Sequence, residues 1–268
     1  MSRRDTTSTS PATDQKLTQD EWVSVKLNRK IGPVNQTMDS FRKIQAGKTD
    51  QELSFIIGQQ AAIGMQLNML NAATLAAAAA LSNQSAVHYT VPTSGKLDTD
   101  ALAAGLGLFG DASSRIVCWV MHSKPYFDLV RSQISDKIFG VADYNVRNGS
   151  PLSLGKPILV TDSPSLVKVT GSGSTAVTSY VTLGLTAGGV VLENSEQEEV
   201  IVQPVTGNEN LSMRLQGEFA YNLGVKGFKW DIANGAANPT DSALGTGTNW
   251  DTCRSSFKDF AGIAITSA

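Results

Sequence analysis

Two short stretches carry residues whose types and spacing could support chemistry, and the first is rich in glycine. Gly105, Gly107 and Gly110 match the pattern G-x-G-x-x-G, in which glycines let the backbone approach the pyrophosphate of a dinucleotide. That pattern functions where it leaves a strand and opens a helix, because the helix N-terminus holds the pyrophosphate. Here a helical pattern, DTDALAA, precedes it and a strand pattern, RIVCWVM, follows it. This reversed order argues against a nucleotide site.

The second candidate pairs Cys118 with His122 as nucleophile and base. Their spacing of four residues near the end of a predicted strand places both side chains on the same side. However, no Asn or Asp at a fixed spacing completes the arrangement, and a cysteine in an apolar run is more often a small core residue. His122 and Ser123, at a strand-to-helix turn, are better explained as a helix cap.

Metal and cofactor chemistry find no support in the spacing of the remaining residues. The chain has two histidines and two cysteines, Cys118 and Cys253, without a Cys-x-x-Cys pattern, and its carboxylates do not follow the spacing of a calcium-binding loop. We therefore predict that the chain is not an enzyme. No catalytic, cofactor-binding or metal-binding residue is assigned.

Composition narrows the remaining classes of protein. The chain has 268 residues, a formal net charge of -2, 41% hydrophobic residues and only 17% charged residues. A hydrophobic core is possible, and a dedicated nucleic-acid binder with a strongly basic face is disfavoured, although weak contact stays open. The widely separated cysteines favour assembly in a reducing compartment, and the polar N-terminus is not typical of a signal peptide.

A single long helix, Thr49 to Ser82, is the element around which the other predicted elements are arranged. Thr49 and Glu52 can form a capping box, and the helix would be roughly 50 Å long. Its many glutamines and asparagines argue against a membrane span. Because amides and small residues replace the Glu and Lys of a solvated face, we expect neighbours to cover it. A helix buried inside one globular domain is the alternative.

The N-terminal region is predicted to consist of an arm and a hairpin. Residues 1–16 are polar and cannot bury enough surface to fold alone. Trp22 to Leu27 alternates as a half-buried strand does, Asn28 to Pro33 supplies turn residues, and Val34 to Ile44 could return as a second strand. An isolated hairpin is marginal in water, so it needs a surface to lie on.

This predicted hairpin is strongly basic. Its cations include Lys26, Arg29, Lys30, Arg42 and Lys43, against Asp39 as the acid between them. They form either an ordinary solvated face or an inter-subunit docking surface for an acidic neighbour. The candidate acids are Asp98 and Asp100, or the cluster Glu193, Glu196, Glu198 and Glu199.

The rest of the chain alternates helix and strand patterns and then becomes rich in strands. We predict a short helix at 98–106, capped by Asp98 or Thr99, a strand at 115–121 and a helix capped at Ser123. A strand at 156–161 and several strands over 167–205 follow, with a tight turn at Ala187 to Gly189. A long strand begins near Leu211 and bends at Gly224 and Gly227. A loop covers 233–248, and a last strand covers 260–266.

This order of elements resembles the major capsid protein of tailed bacteriophages, the Hong Kong ninety-seven type of fold that is also found in encapsulins. Three stretches are similar to one branch of that family. They are Asp111 to Ile134, Gly155 to Leu166, and Gly217 to Asp231 followed by Asn238 to Leu244.

The resemblance implies an α+β fold with an N-terminal arm, an extended β-hairpin loop, a long spine helix, a peripheral domain and an axial domain. The implied division is 1–18 for the arm, 19–48 for the extended loop, 49–114 for the peripheral domain with the spine helix, 115–208 for the mainly axial part and 209–268 for peripheral strands and the C-terminus. The extended loop would lie over an adjacent subunit.

The function implied is self-assembly, as pentamers and hexamers, into an icosahedral head shell that encloses the double-stranded DNA of a tailed phage. A separate scaffolding protein, a portal and decoration proteins are expected partners, contact with packaged DNA would be weak, and no membrane is involved. The protein would be located in the virion capsid after assembly in the host cytoplasm. The alternatives are an encapsulin-like compartment shell and a dinucleotide-binding enzyme using Gly105 to Gly110.

Overall fold

The structure is a computed structural model that describes residues 6, 7, 9, 21–45, 50–92, 95–138, 153–171 and 176–268. Helices and strands are mixed, as predicted. The helices are α1 (Met38–Gln45), α2 (Asp50–Ser82), α3 (Thr99–Phe109), α4 (Ser123–Ile138), α5 (Ile232–Gly235) and α6 (Asp241–Leu244). The strands are β1 (Val25–Thr37), β2 (His88–Thr90), β3 (Ile116–Met121), β4 (Ile158–Val160), β5 (Val167–Thr170), β6 (Val177–Thr186), β7 (Val190–Val205), β8 (Ser212–Val225), β9 (Phe228–Trp230), β10 (Trp250–Thr252) and β11 (Gly262–Ser267).

The long helix α2 confirms the prediction of one continuous element, with 33 residues. Its predicted cap, Thr49, lies outside the described residues. The carboxyl-terminal half is buried in the core, where Ala76, Ala80 and Leu81 have no exposed surface. Alanine has the highest helix propensity and the smallest side chain that favours a helix, so neighbouring elements can approach this half of α2 closely.

A six-stranded sheet forms the other side of this core. Five of its strands lie in the order β2-β11-β6-β3-β4, and the sixth, β5, pairs with β6. Strand β11 runs parallel to β2 and antiparallel to β6, and β3 runs antiparallel to β6 and parallel to β4. Trp119 fills the centre, and a Cβ placed on Gly184 would lie 2.7 Å from its ring. Glycine is therefore required at this position of β6.

A separate three-stranded antiparallel sheet has the order β1-β8-β7. The predicted tight turn at Ala187 to Gly189 is confirmed, with Gly188 at a φ of 64°. It connects β6 to β7, yet these strands pair in different sheets, so the turn links two sheets and makes no hairpin. The long hairpin of this region is β7–β8, whose strands pair from Val190–Val225 out to Val205–Ser212.

The predicted hairpin within 19–48 is wrong in its local structure. Residues 25–37 form one strand that pairs with β8 along its length, and the register shift between Ile31 and Val34 absorbs the turn residues as an irregularity. The predicted return strand is instead the helix α1, with Asp39 in its first turn and Arg42 and Lys43 in its last turn. These charges suit the helix dipole.

Two further differences concern short elements near the C-terminus. The predicted loop at 233–248 contains α5 and α6, whose first turns are capped by the Asp231 and Thr240 side chains. Strands β2 and β10, of three residues each, were not predicted because so short a run carries no periodic signal.

Other local predictions are confirmed. Asp98 caps α3 by accepting a hydrogen bond from the Ala101 N–H at 2.7 Å. Strand β3 and helix α4 follow in the predicted order, and the Nδ1 of His122 accepts from the Lys124 N–H at 3.2 Å. His122 therefore satisfies a backbone donor at the start of α4, where Ser123 was expected to do so.

Sheet pairing crosses the predicted domain boundary at residue 208 in two places. Strand β7 precedes this boundary but pairs with β8. Strand β11 follows it but pairs with β6. The division into peripheral and axial parts stays a prediction. Each of these two strands pairs with a strand from the other side of the predicted boundary.

Candidate assembly surface

The three-stranded sheet is buried at one end and exposed at the other. Near the core, Val25, Leu27, Tyr221 and Leu223 are buried, and the Tyr221 hydroxyl donates a hydrogen bond to the Asn68 Oδ1 of α2 at 3.0 Å. Farther along the same strands, every residue of β7 from 196 to 204 is exposed. The far end of the sheet thus extends beyond the core that stabilises the near end.

Register shows that this far end has one apolar face. Side chains directly opposite each other in an antiparallel pair lie on the same face, and the cross-strand pairs are Ile31 with Gly217, Val34 with Leu215, Val200 with Gly217, Val202 with Leu215 and Pro204 with Met213. We call the set Ile31, Val34, Val200, Val202, Met213 and Leu215 the apolar sheet face. Val34, Val200 and Val202 are 50%, 43% and 48% exposed.

The opposite face of the far end is mostly polar and charged, with the exposed Ile201 opposite Gln216 as an apolar exception. Lys30 pairs with Glu218, and Glu218 pairs on its other side with Glu199, so three charged groups lie in a row across the strands. Arg214 pairs with both Asn35 and Gln203. This polar face is compatible with solvent, whereas the apolar sheet face is not.

The amino-terminal half of α2 adds a second exposed apolar surface. Phe55, Ile63 and Leu67 are 71%, 50% and 54% exposed. A Cβ added to Gly58 or Gly64 would have no neighbour within 4 Å. The sequence predicts that neighbours cover α2, but no described residue of the same chain covers these side chains of its amino-terminal half.

A groove lies between this half of α2 and the strand β1. Its lining includes Gln60, Gly64 and Asn68 from the helix and Lys30 and Ile31 from the strand. Backbone amides of an incoming segment could bond to the glutamine and asparagine side chains, which both donate and accept hydrogen bonds. The groove thus joins the exposed part of the helix to the exposed part of the sheet.

The five predicted docking cations do not form one free basic surface. Lys26 contacts Glu196, Arg29 Nη2 lies 2.5 Å from Asp241 Oδ1, and Lys43 lies 3.0 Å from Asp39. Within the described residues, Lys30 and Arg42 are exposed and have no ion-pair partner. Of the predicted acids, Glu196 belongs to the same subunit as its lysine, and Asp98 is engaged as the cap of α3.

Arg29 has a structural environment that the sequence did not indicate. Burial by itself would lower its pKa, but the Asp241 carboxylate outweighs that effect and raises it, with a smaller contribution from Tyr221. Burial in turn raises the pKa of the Tyr221 hydroxyl. Arg29 therefore joins β1 to α6 as part of the fold.

The residues considered for chemistry occupy structural positions. Gly105 and Gly107 lie inside α3 and Gly110 at its end, so the helix precedes the strand and the nucleotide context is absent there. Burial raises the pKa of the Cys118 thiol, which disfavours the reactive thiolate. His122 Nε2 faces Asp162 at 3.7 Å while its Nδ1 is occupied at the start of α4.

The described part of the chain offers neither a metal site nor a membrane-spanning helix. No group of three or more His, Cys, Asp or Glu side chains in this part of the chain could hold a metal ion. Among the described helices, none combines the length and the apolar character of a membrane span.

Comparison with known proteins identifies relatives of this fold. A family model described as Gp13-like, major capsid protein 13-like, matches residues 1–264. The chain is similar to the Cyanophage Pam1 capsid asymmetric unit, with 9% identity, a TM-score of 0.52, and coverage of 100% of this chain and 82% of that chain. The identity is low, so this likeness shows a shared fold.

Two further solved structures are similar at lower scores. The acidic stable capsid of Helicobacter pylori bacteriophage KHP30 matches with 10% identity and a TM-score of 0.47, covering 91% of this chain and 75% of that chain. The holo-SrpI encapsulin complex from Synechococcus elongatus matches with 12% identity and a TM-score of 0.42, covering 75% and 70%. No curated protein matches the chain.

Proposed function

Because the chain belongs to the Gp13-like major capsid protein family, we propose that it builds an icosahedral head shell around the double-stranded DNA of a tailed bacteriophage by burying the apolar sheet face against sister copies. Family membership makes it a structural protein of a phage head, part of the virion capsid, and not an enzyme. The resemblance stated from the sequence is confirmed at this level. The encapsulin-like shell and the dinucleotide-binding enzyme are set aside.

The observation that carries the proposal is the apolar sheet face. A β-sheet needs a hydrophobic partner on one face for stability in water, and the far end of the sheet β1-β8-β7 lacks such a partner within the described residues. Contiguous exposed apolar surface rimmed by polar groups is typical of a protein interface. In a shell made of many copies, a neighbouring subunit is the partner always available.

The exposed half of α2 fits the same role. Phe55, Ile63 and Leu67 would be covered by an adjacent subunit, and the groove beside β1 would receive one of its extended segments. Together with the apolar sheet face, these positions give the subunit two surfaces on which neighbours can complete a core. Closed assembly is then favoured over the free subunit because it removes both apolar surfaces from water.

Charged docking has a smaller part in this proposal than the sequence suggested. Lys26, Arg29 and Lys43 keep their partners within the subunit, and Lys30 and Arg42 are the cations left to meet acidic groups of a neighbour. Such exposed pairs contribute little affinity but can fix orientation during assembly.

The finer organisation follows from the family resemblance. The shell would be made of pentamers and hexamers, with residues 1–18 as an arm, the parts around α2 and β8 as a peripheral domain, and much of 115–208 as an axial domain. A separate scaffolding protein, a portal and decoration proteins would take part in assembly in the host cytoplasm. The net charge of -2 supports weak contact with packaged DNA, since a slightly acidic subunit has no net attraction to phosphate.

Electron microscopy of the purified protein tests the proposal. The unsubstituted chain should form closed shells, and the Val200→Asp/Val202→Asp variant should remain folded by circular dichroism but fail to assemble. Asn35→Asp is a matched control, because it adds a carboxylate to the polar face opposite Arg214. Shells of the double variant at the unsubstituted yield would contradict the proposed role of the apolar sheet face.

A further inference from the structure

Strand β7 forms an open edge of the three-stranded sheet. In the described part of the chain it hydrogen-bonds to β8 on one side and to no other strand. An exposed edge presents unpaired backbone N–H and C=O groups and is a template for another strand. The other edge strand, β1, is followed directly by α1 and carries Lys26, Arg29 and Lys30 along its length, and such charges discourage pairing.

The open edge of β7 is limited to one short segment. On one side the register shifts between Glu196 and Glu199, which disrupts regular pairing. On the other side Pro204 has no backbone N–H to donate. Between them lies 199–203, Glu-Val-Ile-Val-Gln, which is regular, exposed and free of lysine and proline. These boundaries define a slot for a short added strand.

The segment 199–203 is self-complementary when two copies of it pair in antiparallel orientation. In an antiparallel pair centred on Ile201, Glu199 of one copy faces Gln203 of the other, Val200 faces Val202, and Ile201 faces Ile201. No like charges meet, and the valines and isoleucines form the apolar cross-strand pairs that stabilise sheets. Because opposite residues in a sheet share a face, this pairing places the apolar sheet faces of both copies on the same side of the combined sheet.

The direction of the backbone groups also fits this pairing. Proline on an edge strand turns its nitrogen away from the partner strand, so the nitrogen of Pro204 points away from β8. Backbone groups alternate in direction along an antiparallel strand, which places the N–H and C=O of Val200 and Val202 on the open edge. Val200 of one copy and Val202 of the other then form a hydrogen-bonded pair, and the two-fold symmetry produces this pair once on each side of Ile201.

We propose that two copies of this chain pair their β7 strands antiparallel across a two-fold axis centred on Ile201, which joins their three-stranded sheets into one. The proposal rests on the proposed function, since it names the partner of the open edge within the shell. It assigns a symmetric contact, in which the same patch of both subunits is used. An added strand gains main-chain hydrogen bonds, and the valine pairs set its register.

A cysteine at the centre of the contact gives a direct test. In this register the two residues at 201 form a non-hydrogen-bonded pair with Cα atoms about 4.5 Å apart, which is within the range of a disulfide. Purified shells of Ile201→Cys should yield covalent dimers on a non-reducing gel after mild oxidation. Gln203→Cys is the control, because its two copies would lie about 13 Å apart along the strands.

The unsubstituted protein gives the background yield of covalent dimers that arise from the native Cys118 and Cys253. Should Ile201→Cys not assemble, Glu199→Cys/Gln203→Cys provides the same test at the directly opposite positions. Intact shells without the dimer, or equal dimer yields from Ile201→Cys and Gln203→Cys, would overturn the pairing and leave the proposed function standing. Failure of the unsubstituted protein to form shells would count against the proposed function itself.

Charge exchange tests the same register independently. Gln203→Glu would place a carboxylate opposite Glu199 of the other copy at two symmetric positions and should lower the yield of shells. Adding Glu199→Lys to that variant should restore the yield, because each pair becomes attractive. A double variant that assembles no better than Gln203→Glu alone would overturn the proposed register.

Discussion

Glu199 on β7 lies directly opposite Glu218 on β8. Like charges in a cross-strand pair destabilise a sheet, and Lys30 on β1, although it lies opposite Glu218 on the other side, forms no ion pair with that carboxylate in the described structure. The far end of the three-stranded sheet therefore combines an uncompensated charge on one face with unburied valines on the other. Both features weaken this part of the isolated subunit, and contact with a neighbour would relieve the second.

Neutralising this carboxylate should stabilise the free subunit. Glu199→Gln removes the repulsion and leaves Lys30 and Glu218 unchanged, so the free energy of unfolding in urea should rise by about 0.5 kcal/mol. The gain should shrink at high salt, which screens exposed charges. Glu193→Gln, opposite Asn222, should show no such gain, and equal effects of the two substitutions would contradict this explanation.

Lys30 and Arg42, which have no ion-pair partner within the described residues, should affect assembly in a salt-dependent way. The variant Lys30→Gln/Arg42→Gln should form shells more slowly than the unsubstituted chain at low salt, with little difference at high salt. Light scattering during assembly measures the rate. Lys43→Gln is the control, because Lys43 already faces Asp39 on its own helix. An identical rate at both salt concentrations would mean that these cations form only a solvated face.

Arg29 should matter for folding rather than for docking. Its side chain is 19% exposed and is held by Asp241, which is 65% exposed. Arg29→Gln should lower the free energy of unfolding by about 1–2 kcal/mol, the range for a charged hydrogen bond after allowance for solvent at the exposed partner. Urea unfolding of Arg29→Gln, Asp241→Asn and the double variant measures their coupling. Additive effects would show that the two residues do not interact.

His88 should make stability depend on pH. Burial, with help from the Lys168 charge, lowers its pKa below the ordinary 6.5, and its Nε2 lies 2.9 Å from the Thr266 Oγ1. Protonation is then easier in the unfolded chain. The stability from neutral His88 is complete above about pH 6.5 and decreases as the pH falls below that value. His88→Gln should flatten this dependence in urea unfolding, and an unchanged pH profile would contradict it.

Local patterns were sufficient to predict several elements. The uncharged run after Glu52 and the alanines at 76–80 identify α2, and Asp98 identifies the start of α3, because propensity and capping act over a few residues. The order of β3 and α4 was predicted for the same reason. The family resemblance supplied the fold class, which no single segment could provide.

The assembly surface could not be predicted because it depends on contacts between distant residues. Lys26 and Glu196 are 170 positions apart, and Arg29 and Asp241 are 212 apart, so their pairing is invisible in the local charge pattern. Gly32 and Pro33 suggested a turn, but the long partner strand β8 kept β1 extended. The strand pattern over 167–205 includes Val200 and Val202, yet the face they share with Leu215 is defined only by register.

Hydroxyl-radical footprinting of the free subunit and the assembled shell tests most directly whether sister copies cover these surfaces. Phe55 and Met213 are suitable reporters, because Phe55 is 71% exposed and Met213 is partly exposed on the apolar sheet face. Both side chains should be oxidised in the free subunit and strongly protected in the shell. Equal oxidation of both residues in the two states would show that the surfaces stay open to solvent and would contradict the account.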